Sequence, residues 1–186
     1  MSRFIIESTP IAGVKVLQRQ PHGDSRGAFT RLFCAEELGL AGWDGEIVQI
    51  NHSVTNQAGC VRGMHFQSPP YADKKLVTCL AGRVWDVAVD LRPDSATFLC
   101  WFAQELSAVN CRAMLLPEGV AHGFQALEQH CELVYLHSAA YAPQCEGGVH
   151  PLDPKVAIPW PLPIAAMSDK DSQRVWLDES FTGVVL

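Results

Sequence analysis

The apolar residues of this chain fall into short stretches separated by Gly, Pro, Asn and Asp, a pattern of strands joined by turns. Residues 4–6 and 14–17 read as the first two strands. An Asp-Ser-Arg-Gly turn at 24–27 leads into 28–33, where alternation places Phe29, Arg31 and Phe33 on one face. Residues 35–40 form the best early helix candidate, and it is short. A strand over 46–51 runs into a polar loop. Residues 76–80 and 83–90 flank Ala81-Gly82 and read as a hairpin. Further strands are expected at 99–103, 112–116, 121–124 and 132–137, with a Pro-Glu-Gly turn at 117–119. Past Tyr141 the chain is rich in Pro and loop residues, and a short helix can start within 168–171. Many short strands and few helical periods predict an all-β sandwich or barrel with short peripheral helices. No repeat, low-complexity tract or linker divides the chain, which predicts one domain over residues 1–186.

The stretch GCVRGMHFQ at 59–67 breaks the simple pattern. In a strand, Gly63, His65 and Gln67 share a face, while Val61, Met64 and Phe66 are available to other layers. Arg62 does not fit this alternation, and Gly63 is placed to mark a bulge that re-aims it. A single histidine on a strand is ordinarily a core residue satisfied by hydrogen bonds. Other polar residues along the chain have equally plain structural accounts. Lys75 can be a surface charge, Tyr135 a buried tyrosine, Asp171 a helix cap, and Arg62 the partner of a nearby acid.

Composition narrows the setting. Hydrophobic residues at 48% and charged residues at 18% fit a soluble globular protein, and 186 residues suffice to bury a core. No apolar run is long enough to span a bilayer, and the N-terminus does not read as a secretory signal. A net charge of −6 argues against a general nucleic-acid binder but leaves room for a local cationic pocket. Cysteines 34, 60, 79, 100, 111, 131 and 145 are odd in number and without CxxC spacing, which predicts free thiols in a reduced, cytoplasmic setting.

The ordered motifs DSRGAFTRLF, VQINHS, GCVRGMHFQ, KKLV, GRVWDVAVDLR, LPEGVAHGF, ELVY, YAP and MSDKD resemble those of the dTDP-4-dehydrorhamnose 3,5-epimerases. The resemblance covers most of the chain. It implies a cupin-type jelly roll, a homodimer that exchanges an N-terminal strand, and cofactor-free epimerisation of a nucleotide-linked 4-keto-6-deoxy sugar. It also implies His65 as base, Asp171 as its partner carboxylate, Lys75 beside the developing oxyanion and Tyr135 as the acid on the other face. Arg62 and His122 fall at positions near the diphosphate, Gln49 and Asn51 at polar binding positions, and Tyr141 and Glu146 around the nucleoside. Arg26 and Phe29 match a segment that reaches the neighbouring subunit's site, and Asp86 is a support on the barrel wall. Two positions depart from the family: Arg31, where an acid is common, and Pro151, where a Trp is common.

Three other functions compete. Metal-dependent cupins use an HxH pair, a Glu and a later His. Here His65-Phe-Gln67 stands for the pair and Lys75 for the Glu, so two imidazoles and a repelling cation are left and no metal site is expected. A keto-isomerase also works by enolisation, but Tyr135 and MSDKD favour epimerisation. A silent sugar-nucleotide-binding module would be expected to lack the base or its partner.

Overall fold

A computed structural model describes residues 3–186. Its strands form two antiparallel sheets. The first contains β1 (Phe4–Ser8), β2 (Lys15–Arg19), β5 (Gln49–Thr55), β7 (Lys75–Ala81), β10 (Arg112–Leu116) and β12 (Cys131–His137), in the order β1-β2-β10-β7-β12-β5. The second contains β6 (Val61–Gln67), β8 (Arg83–Asp90), β9 (Trp101–Ser107), β11 (Val120–Ala126) and β13 (Glu146–Gly148), in the order β13-β6-β11-β8-β9. A separate hairpin pairs β3 (His22–Asp24) with β4 (Gly27–Phe29), and the helices are α1 (Ala35–Gly39) and α2 (Asp169–Ser172).

Period-two alternation places Cys79 and Val77 of β7, Leu133 of β12 and Phe124 of β11 in one apolar core between the sheets. Towards one end the inward positions turn polar: Lys75 precedes Val77, His122 precedes Phe124, and Tyr135 and His137 follow Leu133. One end of the sandwich is therefore filled, and the other is a cavity.

Both outer faces are covered at their centres. Helix α1 and Trp43 pack with Leu76, Leu115 and Leu136 on the first sheet, and Phe33 meets Trp43 edge-on at 5.6 Å. Val156, Ile158 and Val184 of the C-terminal segment cover Met64, Val87 and Val89 of the second. Burial on both faces is why β7 and β8 read as nearly continuous apolar runs.

Several expectations need correction. Strands β7 and β8 are not a hairpin: β7 pairs with β10 and β12, whereas β8 pairs with β9 and β11. Gly82 is a corner at which the chain changes sheets, with φ +70° and Cys131 Sγ 2.8 Å from where a Cβ would sit. A turn signal identifies the reversal but not the sheet that receives the next strand. The strand expected over 28–33 stops at Phe29, so Phe29 is exposed while Phe33 packs inward. The loop expected after residue 51 is strand as far as Thr55, because Gln49, Asn51 and Ser53 face the cavity and the usual apolar alternation is missing.

The expected bulge is present. Arg62 pairs with Phe124 and His65 with His122, so Gly63 and Met64 together oppose Gly123. Arg62 and His65 thereby both reach the cavity despite their odd spacing, along with Val61, while Met64 joins the outer core. Gly63 has φ +125°, and a Cβ there would lie 2.5 Å from Gly123 Cα. Gly63→Ala is expected to lose on the order of 3 kcal/mol from backbone strain and overpacking. Calorimetry should show this as a Tm lower by about 6–12 °C.

Candidate active site

The cavity at the polar end has a volume of about 700 Å³ and draws its walls from both sheets and the segment before α2. That segment is held by backbone pairing: Ala165 N–H donates to Gly59 O at 3.0 Å and Val61 N–H to Ala166 O at 2.9 Å. The Gln125 amide adds two bonds to the backbone of Leu162, each at 2.9 Å. Ser168 then caps α2, its hydroxyl accepting from Asp171 N–H at 3.1 Å. The cap is thus Ser168, which leaves the Asp171 side chain free for another task.

That task is a bond to His65. Asp171 Oδ1 lies 2.6 Å from His65 Nε2, and Oδ2 accepts from the bulge N–H of Gly63 at 3.4 Å. Burial pushes the Asp171 carboxyl up, but the hydrogen bond and charge of His65, with Ser168 and Gly63, outweigh it and hold the group below its ordinary range. With Nε2–H donated to the carboxylate, Nδ1 becomes the basic nitrogen of the ring.

Tyr135 enters the cavity from the opposing sheet, its hydroxyl 2.9 Å from Ser53 Oγ. Burial raises the Tyr135 phenol well above the ordinary tyrosine range, so it keeps its proton. His122 Nε2 lies 2.7 Å from Asp86 Oδ1, and both side chains are buried. Burial pushes the Asp86 carboxyl up, opposed by the charge of His122, and Asp86 Oδ2 is buried without a partner. Asp86 thus contacts the ring of His122, which lines the cavity.

Lys75 is no surface charge. Its side chain is 11% exposed, and its ammonium donates to His65 O at 3.2 Å. Burial lowers its pKa, with Asp73 and Glu146 opposing the shift. Among the described residues Arg62 pairs with no acid; it donates to Thr55 Oγ1 and Val54 O, both at 3.1 Å.

At the outer end, the Gln49 side chain accepts from Tyr141 N–H at 2.9 Å and donates to Asn51 Oδ1 at 3.0 Å. The Tyr141 hydroxyl donates to Glu146, which Lys170 and Arg174 also contact. Burial pushes the Glu146 carboxyl up, and the bonds from Lys170 and Tyr141 bring it below its usual range. Gln67 is buried and holds the backbone of Tyr71, Ala140 and Ala142, a framework role.

The cavity thus gathers His65, Asp171, Tyr135, Lys75, Gln49, Asn51, Arg62, His122, Tyr141 and Glu146. Arg26 and Phe29 lie outside it. Arg26 is salt-bridged to Asp24 at 2.6 Å, and Phe29 is 74% exposed on the β3–β4 arm. Arg31 pairs with Glu37, and Pro151 accepts a bond from Trp160 Nε1 at 2.8 Å, so neither departure lines this cavity. Asp73, His137 and Ser53 were not anticipated. His137 shares a strand face with Tyr135, and Ser53 with Asn51, so parity could have found them; Asp73 has no such signal.

Known proteins resemble this chain in sequence and in fold. The family model described as dTDP-4-dehydrorhamnose 3,5-epimerase matches residues 8–179. A dTDP-4-dehydrorhamnose 3-epimerase of Streptomyces niveus is 40% identical over 171 residues, covering 91% of this chain and 82% of its own. A dTDP-4-dehydrorhamnose 3,5-epimerase of Shigella flexneri is 42% identical over 164 residues, covering 88% and 90%. The crystal structure of the dTDP-6-deoxy-D-glucose-3,5-epimerase of Legionella pneumophila, in complex with dTDP-4-keto-L-rhamnose, superposes with a TM-score of 0.86 at 40% identity, covering 91% and 90%. The fold is accordingly the cupin-type jelly roll. By sequence and by structure, the chain belongs to the dTDP-4-dehydrorhamnose 3,5-epimerase family.

Proposed function

We propose that this chain, as a single domain, inverts C3, C5 or both of a nucleotide-linked 4-keto-6-deoxyhexose, without a cofactor. The observation that carries the reading is His65 on one sheet, 2.6 Å from Asp171 of α2, with the Tyr135 phenol entering the cavity from the other sheet. The C4 ketone acidifies the hydrogens on C3 and C5. His65 Nδ1 takes one of these protons, and the resulting imidazolium is held by the Asp171 carboxylate. The electron pair moves to O4, where the Lys75 ammonium meets the new charge in a poorly solvated site. Tyr135 then delivers a proton to the opposite face of the carbon, and Ser53 is its contact for proton resupply. Arg62 and His122 serve the diphosphate, Gln49 and Asn51 are polar binding positions, and Tyr141 and Glu146 serve the nucleoside. Arg26 and Phe29 act on a second copy through the exposed arm, giving a homodimer. The seven free thiols suit a cytoplasmic enzyme.

A narrower reading, inversion at one carbon only, is favoured by the similarity to the Streptomyces niveus 3-epimerase. The two differ in where solvent hydrogen enters the sugar, which makes them separable.

His65→Ala is expected to lower kcat by a factor of ~10² to 10⁴, with dTDP binding by calorimetry largely unchanged. Asp171→Asn should show a smaller but substantial loss, since the imidazole loses its charge partner. Near-normal turnover in folded His65→Ala removes the assigned role.

In D₂O, a dTDP-linked 4-keto-6-deoxyhexose followed by NMR should gain deuterium at both carbons for double inversion and at one for the narrower reading. If Tyr135 faces C5, Tyr135→Phe will lose inversion there more than exchange at C3. Absence of label with every nucleotide carrier tried favours the silent binding module.

Light scattering at micromolar concentration should give a dimer, and Phe29→Asp on the arm should weaken it. A monomeric wild type contradicts the exchanged arm.

A further inference from the structure

Lys75 has to remain an ammonium in a place that opposes its charge. Its hydrogen bond to His65 O goes to a neutral acceptor, and its nearest carboxylate is Asp73, with Oδ1 3.8 Å from Nζ. The Asp73 side chain is 2% exposed, and its other oxygen, Oδ2, lies 2.8 Å from His137 Nδ1. His137 stands directly across from Lys75 in the pairing of β12 with β7. A run of bonds fixes the proton on His137. Gln49 donates to Asn51 Oδ1, so the Asn51 amide nitrogen faces His137 Nε2 at 3.3 Å and donates to it. Nε2 is then the acceptor, and the ring proton sits on Nδ1 and points at Asp73. Asp73 is left as an anion with one oxygen tied down and the other turned to Lys75.

The geometry points to Asp73, locked in place by His137, as a positioning residue that keeps Lys75 charged where the enolate oxygen forms. This rests on the oxyanion role proposed for Lys75. The other groups around Lys75 cannot substitute. Glu146, from β13, is already engaged by Lys170 and Arg174. His65, from β6, offers a backbone carbonyl, and its ring is directed to Asp171. Leu116, opposite in β10, carries no charge, and Tyr135 stays a phenol. Burial drives Lys75 towards the neutral amine, and the charge of the neighbouring Asp73 opposes this more than that of Glu146. The sign follows: removing the carboxylate lowers the pH at which Lys75 loses its proton, while a depressed kcat with an unmoved limb does not fit the role.

The test is the pH dependence of kcat and KM with dTDP-4-keto-6-deoxyglucose for the full-length wild type and Asp73→Asn. Expected for Asp73→Asn are a kcat reduced about tenfold or more near pH 8, a KM within about threefold, and an alkaline limb lower by at least about one pH unit. Adding Lys75→Arg to Asp73→Asn should abolish that limb, because a guanidinium keeps its charge. An alkaline limb at the same pH in wild type and Asp73→Asn overturns the proposal, as does one that persists in the double variant. Nitrogen-15 NMR of Lys75 Nζ gives a readout independent of turnover. Nζ should be charged at the pH of maximal turnover in the wild type and titrate at a lower pH in Asp73→Asn; a wild-type Nζ that is neutral at that pH overturns the proposal even if Asp73→Asn does not fold. A wild type that exchanges no label at C3 or C5 defeats the epimerase reading, whereas an active wild type with an unmoved limb defeats only the role of Asp73.

Discussion

The site depends on how closely two backbones approach, Gly63 on β6 and Gly123 on β11. A side chain at either position would strike the other strand: a Cβ at Gly123 would lie 2.7 Å from Arg62 O and 2.5 Å from Met64 Sδ. The extra residue accommodated there shifts the face count of β6, which is what brings Arg62 and His65 to the same side. It also aims the Gly63 N–H at Asp171. A regular strand would send one of these side chains into the outer core, where an unpaired charge is costly.

The second organising constraint is a change of polarity along otherwise ordinary strands. On β7, β11 and β12 the inward positions are apolar at one end and ionisable at the other, so one sandwich both packs and binds. The packed half fixes the backbone from which Lys75, His122 and Tyr135 project. Positions set by a packed sheet are better defined than positions on loops. Asp73, Tyr141 and Asp171 instead reach the cavity from outside the strands of the two sheets and are secured by hydrogen bonds.

How much of this could be read from the sequence follows from the same physics. Strands 83–90 and 112–116 were legible to the residue, because burial and turn residues mark both ends. Strand β5 was not, since its polar residues face inward while Ile50 and Val54 are exposed, which reverses the usual amphipathic pattern. Gly82 was recognised as a turn and misread as a hairpin, because sheet membership is decided by partners distant in sequence. His65 stood out through its motif and the bulge at Gly63. Its pairing with Asp171, more than a hundred residues away, came from the order of motifs and not from any periodicity. Asp73 was invisible because an acid in a loop before a strand has no pattern to betray its burial.

The C-terminal segment does two things at once: Val156, Ile158 and Val184 seal the outer face of the second sheet, and the stretch between them delivers Asp171 to His65. During synthesis the strands of both sheets emerge before this cover, so the sandwich can begin to form around an imidazole that still lacks its carboxylate. The contact of Asp171 with His65 forms only once this segment is in place, the same segment that buries Met64, Val87 and Val89. Loosening this one segment would therefore uncover Met64, Val87 and Val89 and separate Asp171 from His65 together, so the seal of the outer core and the pairing of the imidazole stand or fall as one.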